Sequence, residues 1–303
     1  MNRLAVVMPC GPGSAQALDT LGSVEHYLGD TCPVIVVDDH TTDGTHEALA
    51  KAARPNWILM RNPRARGIEG LIRSLADGFL QALEHTQSDV ILRLDQDALV
   101  INAGLTEAAL EYMRANPGVG IFGVYREDHD RARSFEVHTR LINSELRGLR
   151  RLVRHAPFWA PLLMSAEGRG YHRGDNVFGG AYLVTRDCLE KLQSAGALNV
   201  PDAVRSRLQE DVYFSMATAA VGLEMGHFAA PDGPLCLEWR GLPKPARELW
   251  AEGFMVVHSV DKGANTDPGA NGGLTAREVF RQIRAQETAG QSALFNRESI
   301  FLR

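Results

Sequence analysis

Short apolar runs alternate with longer amphipathic stretches from the start of the chain. Leu4-Ala-Val-Val-Met8, Val34-Ile-Val-Val37, Trp57-Ile-Leu-Met60 and the run from Val90 to Leu94 each predict a strand, most of them buried on both faces. Between them, residues of about 15–28, 45–53 and 67–85 carry helical periodicity. In the last of these, Ile68, Leu71, Ile72, Leu75, Phe79 and Leu83 fall on one face. Ser14 stands where a cap for the first helix is expected. A helix over 105–115 then closes at Asn116-Pro117-Gly118, and Val119 to Val124 predicts a fifth strand. Strands alternating with helices of these lengths predict an α/β fold, a mostly parallel sheet flanked by helices.

The second half is less regular. From Arg140 to Arg154, Leu141, Ile142, Leu146, Leu149, Leu152 and Val153 lie on one side, with Arg147, Arg150, Arg151 and Arg154 on the other. Pro157-Phe-Trp-Ala-Pro161 is expected to break this helix. A solvated basic face and peripheral contact with an anionic membrane surface through 140–161 both fit the pattern. A loop rich in glycine and charge, 167–175, leads into a strand-like segment, 177–184, interrupted by Gly179-Gly180. Glycines inside a strand often mark close approach of a ligand or another backbone. Helices are expected over 186–195 and from Glu210-Asp211 onward, where acids complement the positive end of the helix dipole. Phe254 to Val257 reads as a late strand that delivers His258, and Thr275-x-x-Glu278 is a capping box for a last helix over about 276–287.

The chemistry centres on Asp95-Gln96-Asp97, at the end of the fourth strand. In an extended strand, acids at i and i+2 share a face, and open α/β sheets place ligands at the carboxyl ends of their strands. A hard divalent cation between the two would relieve their repulsion and could bridge to phosphate oxygens. A helix cap and a solvated carboxylate fit the same pair. Gly11-x-Gly13 after the first strand suggests a dinucleotide fingerprint, but its third glycine position is Gln16, which argues against a nicotinamide site.

Composition removes several classes. The 303 residues, 45% hydrophobic and 23% charged, support a large core. A formal charge of -5 gives no bulk attraction to nucleic acid. Cys10, Cys32, Cys188 and Cys236 stand apart, as expected of reduced thiols rather than a disulfide or zinc framework. No apolar run approaches the ~18–20 residues of a spanning helix, and the first residues are too short in their apolar part for a signal peptide. A cytoplasmic protein is expected, with the inner membrane face as a further possible place of contact.

Four marks in order give the chain a resemblance. These are the strand ending in Pro9; Val36-Val37-Asp38-Asp39-x-x-x-Asp43-Gly44-Thr45; Asp95-x-Asp97; and Gly179-Gly180 followed by Glu210-Asp211. Together they resemble the nucleotide-diphospho-sugar glycosyltransferases of the GT-A fold, above all glycosyltransferase family 2, well over 4–102 and more loosely over 174–260. The resemblance implies one domain. Residues 1–102 would form its nucleotide-binding half and 103–303 its acceptor half, with a helical insertion at about 126–176.

It further implies that Pro9 lines the nucleotide pocket and that Asp39 accepts a hydrogen bond from the base. Arg73 would lie near the base or diphosphate. Asp95 would hold the ribose or sugar side, while Asp97 and His258 bind Mn2+ or Mg2+. Asp211 would be the catalytic base, with Glu210 shaping the acceptor site. The partners implied are a nucleotide-sugar donor, UDP-linked foremost, and a hydroxyl acceptor, either carbohydrate or lipid-linked. The Gln-x-x-Arg-Trp motif of processive synthases is absent, so a single transfer is expected, and attack by the activated acceptor opposite the leaving group would invert the anomeric centre. A sugar-nucleotide pyrophosphorylase of related fold would need a basic residue in the first glycine loop, which Gly11-Pro-Gly-Ser14 lacks. A silent binding module would not need Asp95, Asp97, Asp211 and His258 together.

Overall fold

A computed structural model of the chain describes residues 2–125, 129–148, 156–202, 204 and 206–301, with side chains in 129–133 and 291–301 left aside. The expected α/β architecture is present. A seven-stranded sheet runs in the order β3-β2-β1-β4-β7-β6-β8. It comprises β1 (Leu4–Cys10), β2 (Val34–Asp38), β3 (Trp57–Arg61), β4 (Val90–Leu94), β6 (Val119–Gly123), β7 (Ala181–Thr185) and β8 (Glu224–His227). All neighbouring pairs are parallel except those of β7, which runs antiparallel to both β4 and β6. The first three strands progress to one side of β1, whereas β4 lies on the other. That reversal opens a crevice beyond the carboxyl ends of β1 and β4.

The sheet is covered on both faces. Helices Leu71–His85, Ala156–Glu167, Arg186–Ser194 and Glu210–Ala220 pack on one face, burying Phe79, Trp159, Leu189 and Phe214. Ser14–Leu28 and Leu105–Ala115 cover the other, with Leu21, Val24 and Leu105 in that core. A second, three-stranded sheet has the order β5-β10-β9, with β5 Ala98–Val100, β9 Leu235–Leu237 and β10 Val256–His258. It packs beside helices Ala246–Ala251 and Ala276–Phe301.

Several local expectations are corrected. Ser14 is the first helical residue; Gly13 precedes it in a left-handed conformation, with no side-chain cap. Ile68 belongs to a 3-10 turn ahead of the helix and is exposed. The helix expected over 140–154 is Arg140's own helix, His129–Glu145, ending earlier. Arg150, Arg151 and Arg154 lie outside the described residues, and with them most of the basic face.

Pro157 and Pro161 do not break the chain here but sit within helix Ala156–Glu167. Proline is tolerated in a first turn, and Pro161 removes only one hydrogen bond from a helix whose Trp159 and Leu163 are buried. The last helix extends well past residue 287. Its capping box forms as expected: Glu278 accepts from the Thr275 backbone N–H at 2.7 Å. The four cysteines are free and buried, and burial pushes each thiol up to about 12. Among the described residues no helix is long and apolar enough to cross a membrane.

Candidate active site

The site begins where β4 ends. Asp95 and Asp97 are not in the strand, as their spacing suggests, but in the turn that carries the chain from the large sheet into β5 of the small one. Strand alternation therefore does not orient them; a dense set of hydrogen bonds does. The Asp95 N–H donates to the Gly180 carbonyl at 2.8 Å, and the Ala98 N–H donates back to Asp95 at 3.1 Å. The Gln96 side chain accepts from the Gly11 N–H and donates to the Pro12 carbonyl, both at 2.9 Å. The Asp97 carbonyl accepts from Val260 N–H at 2.9 Å.

β10 runs antiparallel to β5, with His258 opposite Ala98. This register brings His258 to the acidic turn across 160 residues of sequence. Its Nε2 lies 3.2 Å from Asp97 Oδ1, and Asp97 Oδ2 accepts from Ser259 at 2.6 Å and Lys262 at 3.2 Å. Burial opposes the Asp97 charge, yet His258, Ser259 and Lys262 together hold its carboxyl well below the usual carboxylate range. Ligand atoms of Asp95, Asp97 and His258 all lie within 4.8 Å of one another. Two carboxylates and an imidazole suit manganese or magnesium, so the residues present fit a divalent cation.

Beside this cluster is a second one. Arg93, only 1% exposed, lies 2.9 Å from both Asp95 and Glu210 and stands over the Tyr182 ring. Among the described residues its Nε and Nη1 have no hydrogen-bond partner. Burial pushes the Glu210 carboxyl up to about 7; Arg93 opposes that rise, and the like charges of Asp211 and Asp95 add to it. Asp211, also buried, is held by its surroundings: Oδ2 accepts from the Asn176 amide and the Gly179 N–H, each at 2.9 Å. Oδ1 accepts from the Val212 N–H at 2.7 Å.

Gly179 and Gly180 join the two clusters. They precede β7 rather than interrupt a strand. A side chain on Gly179 would stand 3.3 Å from both Asp211 Oδ2 and Glu210 Oε1. Gly180 has φ +90°, and a Cβ there would sit 2.7 Å from His258 Nδ1. The close approach expected at the pair is thus made by the site's own side chains. Gly180→Ala should displace the His258 ring; if Asp95, Asp97 and His258 hold a divalent cation, manganese binding should weaken about 10–100-fold, the range for lost support of a metal ligand. A titration following free manganese by electron paramagnetic resonance checks this; unchanged affinity would show that the ring has room to adjust.

The nucleotide-side expectations divide. Pro9 lies in β1 just past the last β1–β4 pair, Val7 with Arg93, so its missing N–H costs no ladder bond to β4. Asp39 accepts from Asn62 at 2.8 Å, from the Arg66 N–H at 2.8 Å and from the Gly67 N–H at 2.7 Å. Those bonds fill three of the roughly four acceptor positions of a carboxylate. Arg73 is paired with Asp77 at 2.8 Å and donates to the Val200 carbonyl. Asp38 is fully buried against His46 and Arg61, a packing role. Asp43 accepts from the Gly13 N–H at 3.0 Å and so ties down the loop after β1.

Sequence reasoning passed over Arg93, Asn176, Ser259 and Lys262. Arg93 had a signal: a lone charge in the run Val90 to Leu94 must find a buried partner. A cavity of about 890 Å³ is lined by Tyr125, Phe135, Glu136, Thr139, His172 and Asp175 among others. Asp175 precedes Asn176, whose amide donates to Asp211, while neither Asp97 nor Asp211 lines the cavity.

No curated protein matches this chain. Among solved structures, the mannosyltransferase PcManGT from Pyrobaculum calidifontis, in complex with GDP-Man and Mn2+, is 20% identical with a TM-score of 0.46, over 75% of this chain and 55% of that one. S. aureus TarS is 14% identical with a TM-score of 0.47, over 75% and 35% of the two chains. Its 1-349 fragment in complex with UDP is 15% identical with a TM-score of 0.46, over 75% and 58%. This chain therefore spans less than two thirds of each. Residues 5–176, from β1 through the acidic turn to Asn176, match the profile of glycosyl transferase family 2. That match takes in more than half of the 303 residues, and the chain belongs to glycosyl transferase family 2.

Proposed function

We propose that this protein is an inverting, non-processive glycosyltransferase that moves one sugar from a nucleoside-diphosphate sugar, UDP-linked foremost, to an acceptor hydroxyl. The observation that carries this reading is the junction at Gly179-Gly180. There a metal-type cluster and a buried pair of carboxylates are held side by side by the same two residues.

A divalent cation held by Asp95, Asp97 and His258, Mn2+ or Mg2+, would act as a Lewis acid on the diphosphate leaving group. The protein's own residues do the rest. The acceptor hydroxyl enters from the cavity beside Asn176, and Asp211 takes its proton as its oxygen bonds to the anomeric carbon. The bond from that carbon to the diphosphate oxygen breaks on the opposite face, which inverts the centre. Gly179 N–H and Asn176 fix the Asp211 carboxylate for this work. Glu210 shapes the acceptor site, with Arg93 balancing the local negative charge.

Asp39 reads the base with its remaining acceptor position, which suits the N3–H of uracil and excludes the unprotonated ring nitrogens of adenine. Pro9 lines the base pocket, and Arg73 reaches the base or diphosphate by leaving Asp77. One observation favours a second assignment within the same reaction. Glu210, raised to about 7, is matched to neutral proton transfer and is the other candidate base.

The test is a panel of UDP-, GDP- and dTDP-sugars with and without manganese, followed by release of nucleoside diphosphate and the anomeric configuration of the product. The reading predicts metal-dependent release and inversion, with UDP binding more tightly than ADP by calorimetry. Formation of a nucleoside triphosphate on adding pyrophosphate would instead identify a pyrophosphorylase. Binding without any turnover would identify a binding module.

A further inference from the structure

The turn that carries Asp95 and Asp97 and the loop that carries His258 to Lys262 come from distant parts of the chain, and one side chain grips both. Arg277 opens the last helix and is 7% exposed. Its Nη2 donates to the Gln96 carbonyl at 2.9 Å, in the middle of the acidic turn, and to Asp261 Oδ2 at 2.7 Å. Nε donates to Asp261 Oδ1 at 3.0 Å, completing a two-pronged contact with that carboxylate. Nη1 donates to Asp19 at 3.0 Å, to Thr20 at 3.2 Å and to the Gln16 carbonyl at 3.3 Å, all in helix Ser14–Leu28. All three guanidinium nitrogens are thus engaged. Asp261 stands next to Lys262, which pairs with Asp97.

We infer that Arg277 is a positioning residue for the metal-binding cluster, setting the separation between the Asp95–Asp97 turn and the His258–Lys262 loop. This rests on the proposed metal role of that cluster. The planar fork of the guanidinium is what allows one residue to hold a carbonyl on one segment and a carboxylate on another while anchored to a third. A lysine keeps the charge but offers one nitrogen, which cannot reach all three segments together. Two neighbouring arginines set the comparison, and the exposed one serves as the control. Arg281 and Arg284 contact Asp19 from the same helix; neither is bonded to Gln96 or Asp261 among the described contacts. Arg281 is largely exposed, with its side chain 57% accessible.

The experiment follows free manganese by electron paramagnetic resonance as protein is titrated with UDP present, for the wild type, Arg277→Lys, Asp261→Asn and Arg281→Ala. Thermal melts of each variant are taken in parallel. Arg277→Lys should weaken manganese binding about 10–100-fold, the usual cost of removing an outer support of metal ligands. Asp261→Asn keeps the shape but weakens the two-pronged contact, and should move affinity in the same direction. Arg281→Ala should stay within about twofold of the wild type, whatever its melting temperature.

An anchor that only holds the helix would lower the melting temperature of Arg277→Lys and leave manganese affinity unchanged, which would overturn the inference. Should Arg277→Lys fail to fold, Asp261→Asn decides by the same criterion. A wild-type protein that binds no manganese would overturn the metal reading itself, and that outcome is recognised before any variant is compared.

Discussion

Asp211→Asn should lower kcat by about 10²–10⁴-fold while the nucleotide sugar still binds, as expected for loss of a general base. The substitution keeps the size of the side chain and, with its amide oxygen in the place of Oδ2, the bonds from Asn176 and the Gly179 N–H; only the Val212 N–H loses its acceptor, so folding should survive. Glu210→Gln should be milder if Asp211 is the base; a larger loss in Glu210→Gln than in Asp211→Asn would transfer the role to Glu210. The pH dependence of stability reports on Glu210. Glu210 has its folded-state pKa raised from an ordinary 4.5 to about 7. Its contribution to stability is therefore fully present below about 4.5 and is lost as the pH rises through about 7. Thermal melts between pH 4.5 and 8 should show this decline in the wild type. Glu210→Gln should flatten it, and an unchanged decline in that variant would assign it to another group.

Arg93→Met should destabilise the protein by about 3–5 kcal/mol, the range for breaking a buried ion pair by removing one partner. Burial itself works against the Arg93 charge, but Asp95, Glu210 and Tyr182 more than offset it and keep the guanidinium protonated. Without Arg93, the buried Glu210 and the part-exposed Asp95, each 2.9 Å from its guanidinium, would lose the cation between them. Arg93→Met combined with Glu210→Gln removes one of those acids, so the double variant should recover part of the loss. A double-mutant cycle by denaturant unfolding measures that coupling. A loss under about 1 kcal/mol for Arg93→Met would mean that water, not Arg93, balances the two acids.

The first half of the chain was legible because its strands are four- or five-residue apolar runs between helices of standard length. β1 to β4 appear close to where their residues placed them. The small sheet was far less visible. β5, β9 and β10 have three residues each, too few to carry a period of two. For the same reason Asp95 and Asp97 read as one strand face, although the chain leaves one sheet for the other between them.

His258 entered through a resemblance, since nothing in Val256-Val257-His258 reveals its partner 3.2 Å away on Asp97. Gly179-Gly180 was legible as a close approach, but not what approaches. Arg277 could not be read as part of the site at all. Its contacts reach back to Gln16, Asp19 and Gln96, and only the closed fold brings those segments together.

Asp97 and His258 are expected to hold a cation against a nucleoside diphosphate. Calorimetric titration of UDP into the wild type, Asp97→Asn and His258→Ala, each with manganese and with a chelator, tests it most directly. Tight binding by the wild type only when manganese is present, weakened at least tenfold in both variants, is the predicted result. Equal UDP affinity with and without the metal in all three proteins would contradict it.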